Sequence, residues 1–475
     1  MLSLFILIPL FIVMIMHTLF RNSMKRVAFM LGLFLMALQV FLVLTPAKEL
    51  MESNSYLLGY LFKFELSLDN LTQVLLLSIG LVSFVTILVS RSFIRDEDER
   101  FNFISLLLLA VSGMNAAVMV RDIFSLYVFL EVAAVASFII IAFNKTNEAF
   151  EGAFKYLIFS ATATVFMLSG IALLVLICGS TSFPVISSIL RNTDHDILIN
   201  IAMALFIIGV LIKSGLMPFH GWLPDTYSAA PAYGSLFLAG IVTKVVGVYS
   251  LLRVGGSVFA MPASLKVIFM FLGAFSIVVA AIAALEQDDL KRMLSYSSIS
   301  QVGYIILGFG CATPLGVCGA ILHLFNHAVF KSLLFVNSAS LELQTGTTDM
   351  KKMGGLAKNM PFTGITSLLG SLSVAGMPPL SGFWSKLIII VALWMSGHYI
   401  YALIAVLASL VTLAYMLSMQ RRVFWGNPLK EWEKVKDSDF SIIFASLILA
   451  SVIVIMGIFF PFMFNTFIFP LPNIW

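Results

Sequence analysis

Charged side chains are scarce in this sequence: Asp, Glu, Lys and Arg make up 11% of it, against 60% hydrophobic residues. That balance excludes a soluble globular domain. Cysteine is scarcer still. Cys178, Cys311 and Cys318 fall inside or at the ends of apolar spans, too scattered for a disulfide framework or an iron-sulfur cluster, and read as small core residues. No NADH, flavin or iron-sulfur motif occurs, so redox chemistry, if any, sits on partner proteins. The formal net charge of +4 makes no case for nucleic acid.

What is abundant is apolar helix. Fourteen stretches, several of about 17 to 25 residues, are each long enough to cross roughly 30 Å of hydrocarbon. Their approximate bounds are 2–20, 27–44, 68–90, 101–120, 122–143, 153–178, 197–230 with a break, 232–254, 264–285, 296–313, 316–340, 361–395 with a break, 400–420 and 440–468. The fold class is an all-α polytopic membrane protein. Lys and Arg are retained on the cytoplasmic side of short loops. With the N-terminus outside, eighteen fall in cytoplasmic loops and six in outer ones, among them Lys48, Lys63, Arg191 and Arg253. Both termini are therefore expected on the outer side of the cell's inner (plasma) membrane. The first helix is followed by the basic RNSMKR and preceded by no basic residue, which reads as a retained span.

Four lysines are not needed for this topology and lie within spans: Lys213, Lys244, Lys331 and Lys386. Glu131, in YVFLEVAAVASF, joins them. A charge at mid-membrane costs roughly 2.5 to 3.5 kcal/mol on insertion scales, so such residues face a protein interior or wet cavity and mark ion pathways. Snorkelling near a helix end is the alternative for Lys331 or Lys386 alone. It does not account for all five.

An internal repeat organises them. FKYLIFSATAT (154–164) echoes FKSLLFVNSAS (330–340), and GLMPFHGW (215–222) echoes GMPPLSGFW (376–384). Each copy spans five helices, from about 101 to 254 and from about 264 to 420, and an odd count makes the second copy enter from the opposite side. The expected organisation is residues 1–100 with helices one to three, an inverted repeat over 101–254, its partner over 255–425, and a C-terminal helix in 426–475. Paired broken helices in inverted repeats point to an ion site at mid-membrane. The break residues are Gly215, Pro218, His220, Gly221 and Asp225 in the first copy, and Gly376, Pro378, Pro379 and Gly382 in the second. Proline removes a helix hydrogen bond and glycine loosens the turn, freeing carbonyls to hold water or polar side chains.

These motifs resemble the antiporter-like subunits of respiratory complex I and its relatives, the group 4 membrane-bound hydrogenases and the multisubunit sodium/proton antiporters. The likeness covers nearly the whole chain. It is carried by GLMPFHGWLPDTYSAAP (215–231), TKVVGVYSLLR (243–253), DDLKRMLSYSSISQVGY (288–304), HLFNHAVFKSLLF (323–335) and GMPPLSGFWSK (376–386). The resemblance implies that Glu131, Lys213, Lys244 and Lys386 form a proton-translocating axis, with His323, His327 and Lys331 on the helix linking the two halves. Lys386 and the stretch 151–174 are similar to the N-type subunit, whereas HAVFK and WLPD lean toward the other types. The expected end soon after the fourteenth span leaves no room for the long lateral helix of the L-type.

The residue chemistry supports the same reading. A lysine in apolar surroundings releases its proton more readily than one facing a carboxylate. Moving a charge through 100 mV takes about 2.3 kcal/mol, and a change of about two pKa units is comparable. Glu131 approaching or leaving Lys213 is the candidate switch. His323, His327 and Lys331 lie four residues apart in turn, on one helical face. They suit a relay or a hydrogen-bonded core pair better than haem ligation, which draws ligands from two helices. His220 and Asp225 are expected to cap or hydrate the break. The favoured expectation is a proton-translocating subunit of a complex I-type redox-driven pump, with no catalytic, metal or cofactor site of its own. Its partners would be other membrane subunits and peripheral redox subunits carrying iron-sulfur clusters; its ions would be protons, with sodium not excluded. A multisubunit sodium/proton antiporter component is the alternative. A third is a redox component that binds quinone or haem.

Overall fold

A computed structural model describes residues 2–18, 21–45, 65–193, 197–426 and 429–463. The loop around Lys48, Ser53 and Lys63 and the residues beyond 463 lie outside the described residues. Sixteen helices carry the architecture: α1 (Leu4–Thr18), α2 (Arg21–Leu44), α3 (Asn70–Phe93), α4 (Glu97–Met119), α5 (Ile123–Ile141), α6 (Asn147–Cys178), α7 (Ile197–Ser214), α8 (Trp222–Ala229), α9 (Ala232–Val258), α10 (Ala263–Leu285), α11 (Leu290–Gly310), α12 (Pro314–Thr345), α13 (Pro361–Ala375), α14 (Ser381–Met395), α15 (Tyr399–Val423) and α16 (Phe440–Ile458). A short helix, Phe183–Asn192, lies between α6 and α7. Strand-type pairing among the described residues is limited to three isolated β-bridges.

Eleven of these helices are long and apolar enough to cross a membrane. The expected fourteen spans are thus not matched one for one, and the differences have physical causes. Residues 4–18 give a helix of only 15 residues. The expected span 296–313 belongs to α11, which carries Lys291, Arg292 and a run of serines that dilute its hydropathy. The span 361–395 is divided into two helices of 15 residues each.

Side-chain caps start many of the helices. Asp69 accepts from Thr72 N, Asp96 from Glu99 N, Asp122 from Ser125 N, Thr146 from Ala149 N, Asp289 from Arg292 N and Thr313 from Gly316 N. Each satisfies a backbone donor that the first helical turn leaves free. Helices α9 and α12 are buried along their length and form the centre of the molecule. Around them α6, α10 and α15 turn leucine, isoleucine, valine and phenylalanine outward, with Leu176 and Ile400 about three-quarters exposed at 74% and 75%. That is a lipid-facing belt.

The centre of α9 departs from α-helical pairing. Leu238–Val242, Lys244–Tyr249 and Val254–Val258 are π-helical, the wider ladder that often accompanies functional sites. Gly247 lies against the backbone of Ser214, so no side chain fits where the end of α7 crosses α9.

Candidate functional site: a buried line of ionisable groups

Both expected breaks are present. The first separates α7 from α8 at residues 215–221, and the second separates α13 from α14 at residues 376–380. Each opens on a glycine with positive φ, Gly215 at 65° and Gly376 at 84°. Only glycine takes that turn without strain. Both breaks contain a cis peptide before proline, at Met217–Pro218 and Pro378–Pro379. Asp225 and Gly382, expected in the breaks, instead lie inside α8 and α14.

Lys213 is the penultimate residue of α7, where the unpaired carbonyls of a helix end favour a cation. Its Nζ donates to Glu131 Oε1 at 2.8 Å and to Ser160 Oγ at 3.0 Å. Thr164 Oγ1 donates to the same Glu131 oxygen at 2.6 Å. The Lys213 side chain is 2% exposed and that of Glu131 27%. Three helices therefore meet here: α5 supplies the acid, α7 the base, and α6 two hydroxyls one turn apart. Ser160 and Thr164 have no role in the sequence reading, although both stand in the quoted echo FKYLIFSATAT; their positions on a helix beside a buried acid were the available signal.

Lys244 is fully buried in the π-helical part of α9 and donates to Ala239 O of its own helix. On α12, His323 and His327 have nearly parallel rings, 7° apart in plane and 6.5 Å between centroids. His323 Nδ1 shares a hydrogen bond of 2.8 Å with Ser385 Oγ on α14. Lys331, one turn beyond His327, donates to Leu294 O on α11 at 3.1 Å. Lys386, next to Ser385, points its Nζ at the face of Tyr304, 4.4 Å from the ring centroid. This cation–π contact substitutes for a counter-ion in a buried setting. Helix α9, which carries Lys244, packs against α12, and α12 packs against α14, which carries Lys386. The structure thus brings Lys244, His327, Lys331, His323 and Lys386 into one connected group, with the Lys213–Glu131 pair beside α9. Among the described residues, no three His, Cys, Asp or Glu side chains cluster as a metal site would require.

His220 sits near Pro218 O, at 3.3 Å. Asp225 does not cap α8, whose start has no side-chain cap. Its carboxylate accepts instead from Lys155 Nζ at 2.7 Å and Arg292 Nη1 at 2.6 Å, tying α8 to α6 and α11. Lys155 also pairs with Glu151 at 2.6 Å. At the opposite end of the helices, Arg253 is buried, not in a loop, and grips Asp69 with two hydrogen bonds of 2.6 and 2.8 Å. Arg121 adds a third at 3.1 Å. Burial works to raise the Asp69 pKa, but Arg253 and Arg121 outweigh it and hold this carboxyl well below the usual range. Asp288, in the loop before α11, is lowered by its contact with Lys351 and by Arg422.

A polytopic helical bundle with two broken helices and an interior line of lysines and histidines defines an ion-handling membrane protein. The chain belongs to the NADH:quinone oxidoreductase/Mrp antiporter transmembrane family, whose model matches residues 120–412. It is an antiporter-like membrane subunit of the kind found in complex I-type and Mrp complexes. It is 31% identical over 367 residues to an Na(+)/H(+) antiporter subunit from Alkalihalophilus pseudofirmus, covering 77% of this chain and 74% of that protein. It is 32% identical over 426 residues to the NADH-quinone oxidoreductase subunit N of Desulforudis audaxviator, covering 87% and 84%. Its fold superposes on a chain of the Mrp complex from Dietzia sp. with a TM-score of 0.90 at 20% identity, covering 100% of this chain and 97% of that one.

Proposed function

We propose that this chain carries protons across the plasma membrane as one subunit of a redox-driven, complex I-type pump. Glu131, Lys213, Lys244, His323, His327, Lys331 and Lys386 would serve as the stepping stones. One observation carries the reading: Lys213, buried at the end of a half-helix, has one carboxylate partner, Glu131, on a different helix. An ion pair of this kind can open and close by a side-chain movement, and opening it changes whether Lys213 keeps its proton. The lysines further along the line have no carboxylate against them in the hydrogen bonds described above.

The two halves, 101–254 and 255–425, are proposed to be inverted repeats, each contributing one break to the line. Outward-facing termini and a cytoplasmic face carrying Lys155, Arg292, Lys351 and Arg422 follow from the distribution of basic residues. Peripheral redox subunits with iron-sulfur clusters would supply the driving reaction, since the sequence has no motif for a redox centre.

A second reading has specific support in the 31% identity to the Alkalihalophilus Na(+)/H(+) antiporter protein. In it the chain works in a multisubunit antiporter powered by ion gradients alone. Purification of the assembled complex from its native membrane separates the two. Copurifying iron-sulfur proteins, and proton uptake into everted vesicles on adding an electron donor, support the redox pump. Uptake that requires a sodium gradient and ignores electron donors supports the antiporter.

A further inference from the structure

The proposed line of ionisable groups has a flank that the sequence reading leaves unused. Helix α13 turns Thr363, Thr366, Ser367 and Ser371 inward, at spacings that put all four on one buried face. Opposite them stand Asn337, Ser338 and Ser340 of α12 and Gln420 of α15, each no more than 2% exposed. Thr366 Oγ1 donates to Asn337 Oδ1 at 3.1 Å, and Gln420 Nε2 donates to Ser367 Oγ at 2.8 Å and Ser371 Oγ at 2.9 Å. At the aqueous end, Ser340 Oγ is within 3.0 Å of Thr363 Oγ1 and 2.8 Å of Ser438 Oγ. Thr363 Oγ1 then donates to Asp437 Oδ1 at 2.8 Å, in the loop before α16.

Small polar residues also serve as packing glue between membrane helices, and glue is satisfied by its partners. This seam is not. Among the described residues, Asn337 Nδ2, Ser338 Oγ and Gln420 Oε1 are buried with no protein hydrogen-bond partner. A buried amide left half-paired costs about 1 to 3 kcal/mol unless water meets it, and a Leu or Ala would pack there without that cost. Ser338 is seven residues beyond Lys331 on α12, hence on the same helical face. The distance along α12 from Ser340 to Lys331 is about 14 Å at 1.5 Å per residue.

We propose that this seam between α12, α13 and α15 is a water-lined proton inlet, running from the aqueous face at Asp437 to Lys331 without passing through the Lys213–Glu131 pair. It rests on the reading of α12 as a proton relay. The groups named between Asp437 and Lys331 are neutral hydroxyls and amides. Such a lining can order water for proton hopping.

The test uses the assembled complex in sealed membrane vesicles, with the three native cysteines replaced. Ser338→Cys and Ser367→Cys are exposed to a small cationic methanethiosulfonate from one face at a time, with Ala402→Cys, buried in an apolar part of α15, as control. The expected result is labelling of both from the face bearing Asp437 and no labelling of the control. Thr366→Val combined with Asn337→Leu should slow proton transport by about tenfold, the size of one lost hydrogen bond. Thr366→Ser with Asn337→Ser should recover transport relative to that variant. Absence of labelling from the Asp437 face overturns the inlet, as does wild-type transport in the assembled Val/Leu variant. Labelling reads water access and needs no pumping, so it stands even if the relay reading fails. That reading fails separately, if His327→Ala transports normally.

Discussion

Replacing Glu131 with glutamine removes the one carboxylate held against Lys213 and leaves the lysine with Ser160 Oγ at 3.0 Å. The 27% exposure of the Glu131 side chain means that the pair is partly screened, so the full interior Coulomb energy does not apply. A hydrogen bond to a charged group contributes about 1.5 to 3 kcal/mol, and breaking a buried pair from one side costs about 3 to 5 kcal/mol. About 3 kcal/mol is taken for this partly screened pair, roughly a hundredfold in an equilibrium constant. It also exceeds the ~2.3 kcal/mol that a 100 mV potential provides per charge. Glu131→Gln should therefore cut proton transport about a hundredfold, to near background. Glu131→Asp, which draws the carboxylate back by one methylene, should fall between. The assay is dye-reported acidification of everted vesicles, alongside native gel electrophoresis to show that the complex assembles. Glu131→Gln vesicles that acidify at the wild-type rate with normal assembly would refute the reasoning, because the lysine would then need no partner.

Lys386→Arg keeps a cation over Tyr304 but cannot deprotonate near neutral pH, so transport should fall with assembly intact; an unchanged rate, read in the same vesicles, would make Lys386 an anchor only. Cysteines at Ser188 and Glu433, both exposed, should label from opposite faces of intact cells, with Ser188 outside; the reverse pattern would invert the proposed orientation. Asp69→Asn should lower stability by about 2 to 3 kcal/mol, read as a drop in the thermal unfolding temperature in detergent, since the bidentate Arg253 contact is lost. Because the folded Asp69 carboxyl is depressed below its unfolded value of about 3.9, this contribution is constant from about pH 8 to about pH 5 and fades only as pH falls through and below that value. A loss of the difference between wild type and Asp69→Asn at pH 6 would contradict that sign.

The breaks and the interior lysines were legible because both violate what lipid demands: a proline-glycine cluster and a lysine stand out against leucine. Ser160, Thr164 and Ser385 stand inside the quoted motifs, but a hydroxyl in an apolar helix gains its role only from the helix opposite. Arg253 reads as a loop residue from its place near the end of a span, but Asp69, 184 residues earlier in the chain, draws it inside. The span count suffered where polar content served packing: α11 is buried for most of its length, yet its serines lower its hydropathy. The π-helical run in α9, which takes in Lys244, leaves no trace in composition.

The ion pairs described above fall into two populations. At the ends of the helices, Asp225 binds Lys155 and Arg292 and Asp288 binds Lys351 and Arg422, all partly exposed, while Asp69 is gripped by the buried Arg253. Between those ends lies the Lys213–Glu131 pair, with its lysine almost fully enclosed. Added electrolyte reaches these populations unequally, because a Debye length of about 8 Å at physiological ionic strength screens exposed charges and hardly touches enclosed ones. Raising the salt therefore loosens the exposed pairs at Asp225 and Asp288 more than it loosens the switch. Ionic strength becomes a way to tune how firmly the Asp225 and Asp288 end of the helices is fastened, with a smaller effect on the proton step.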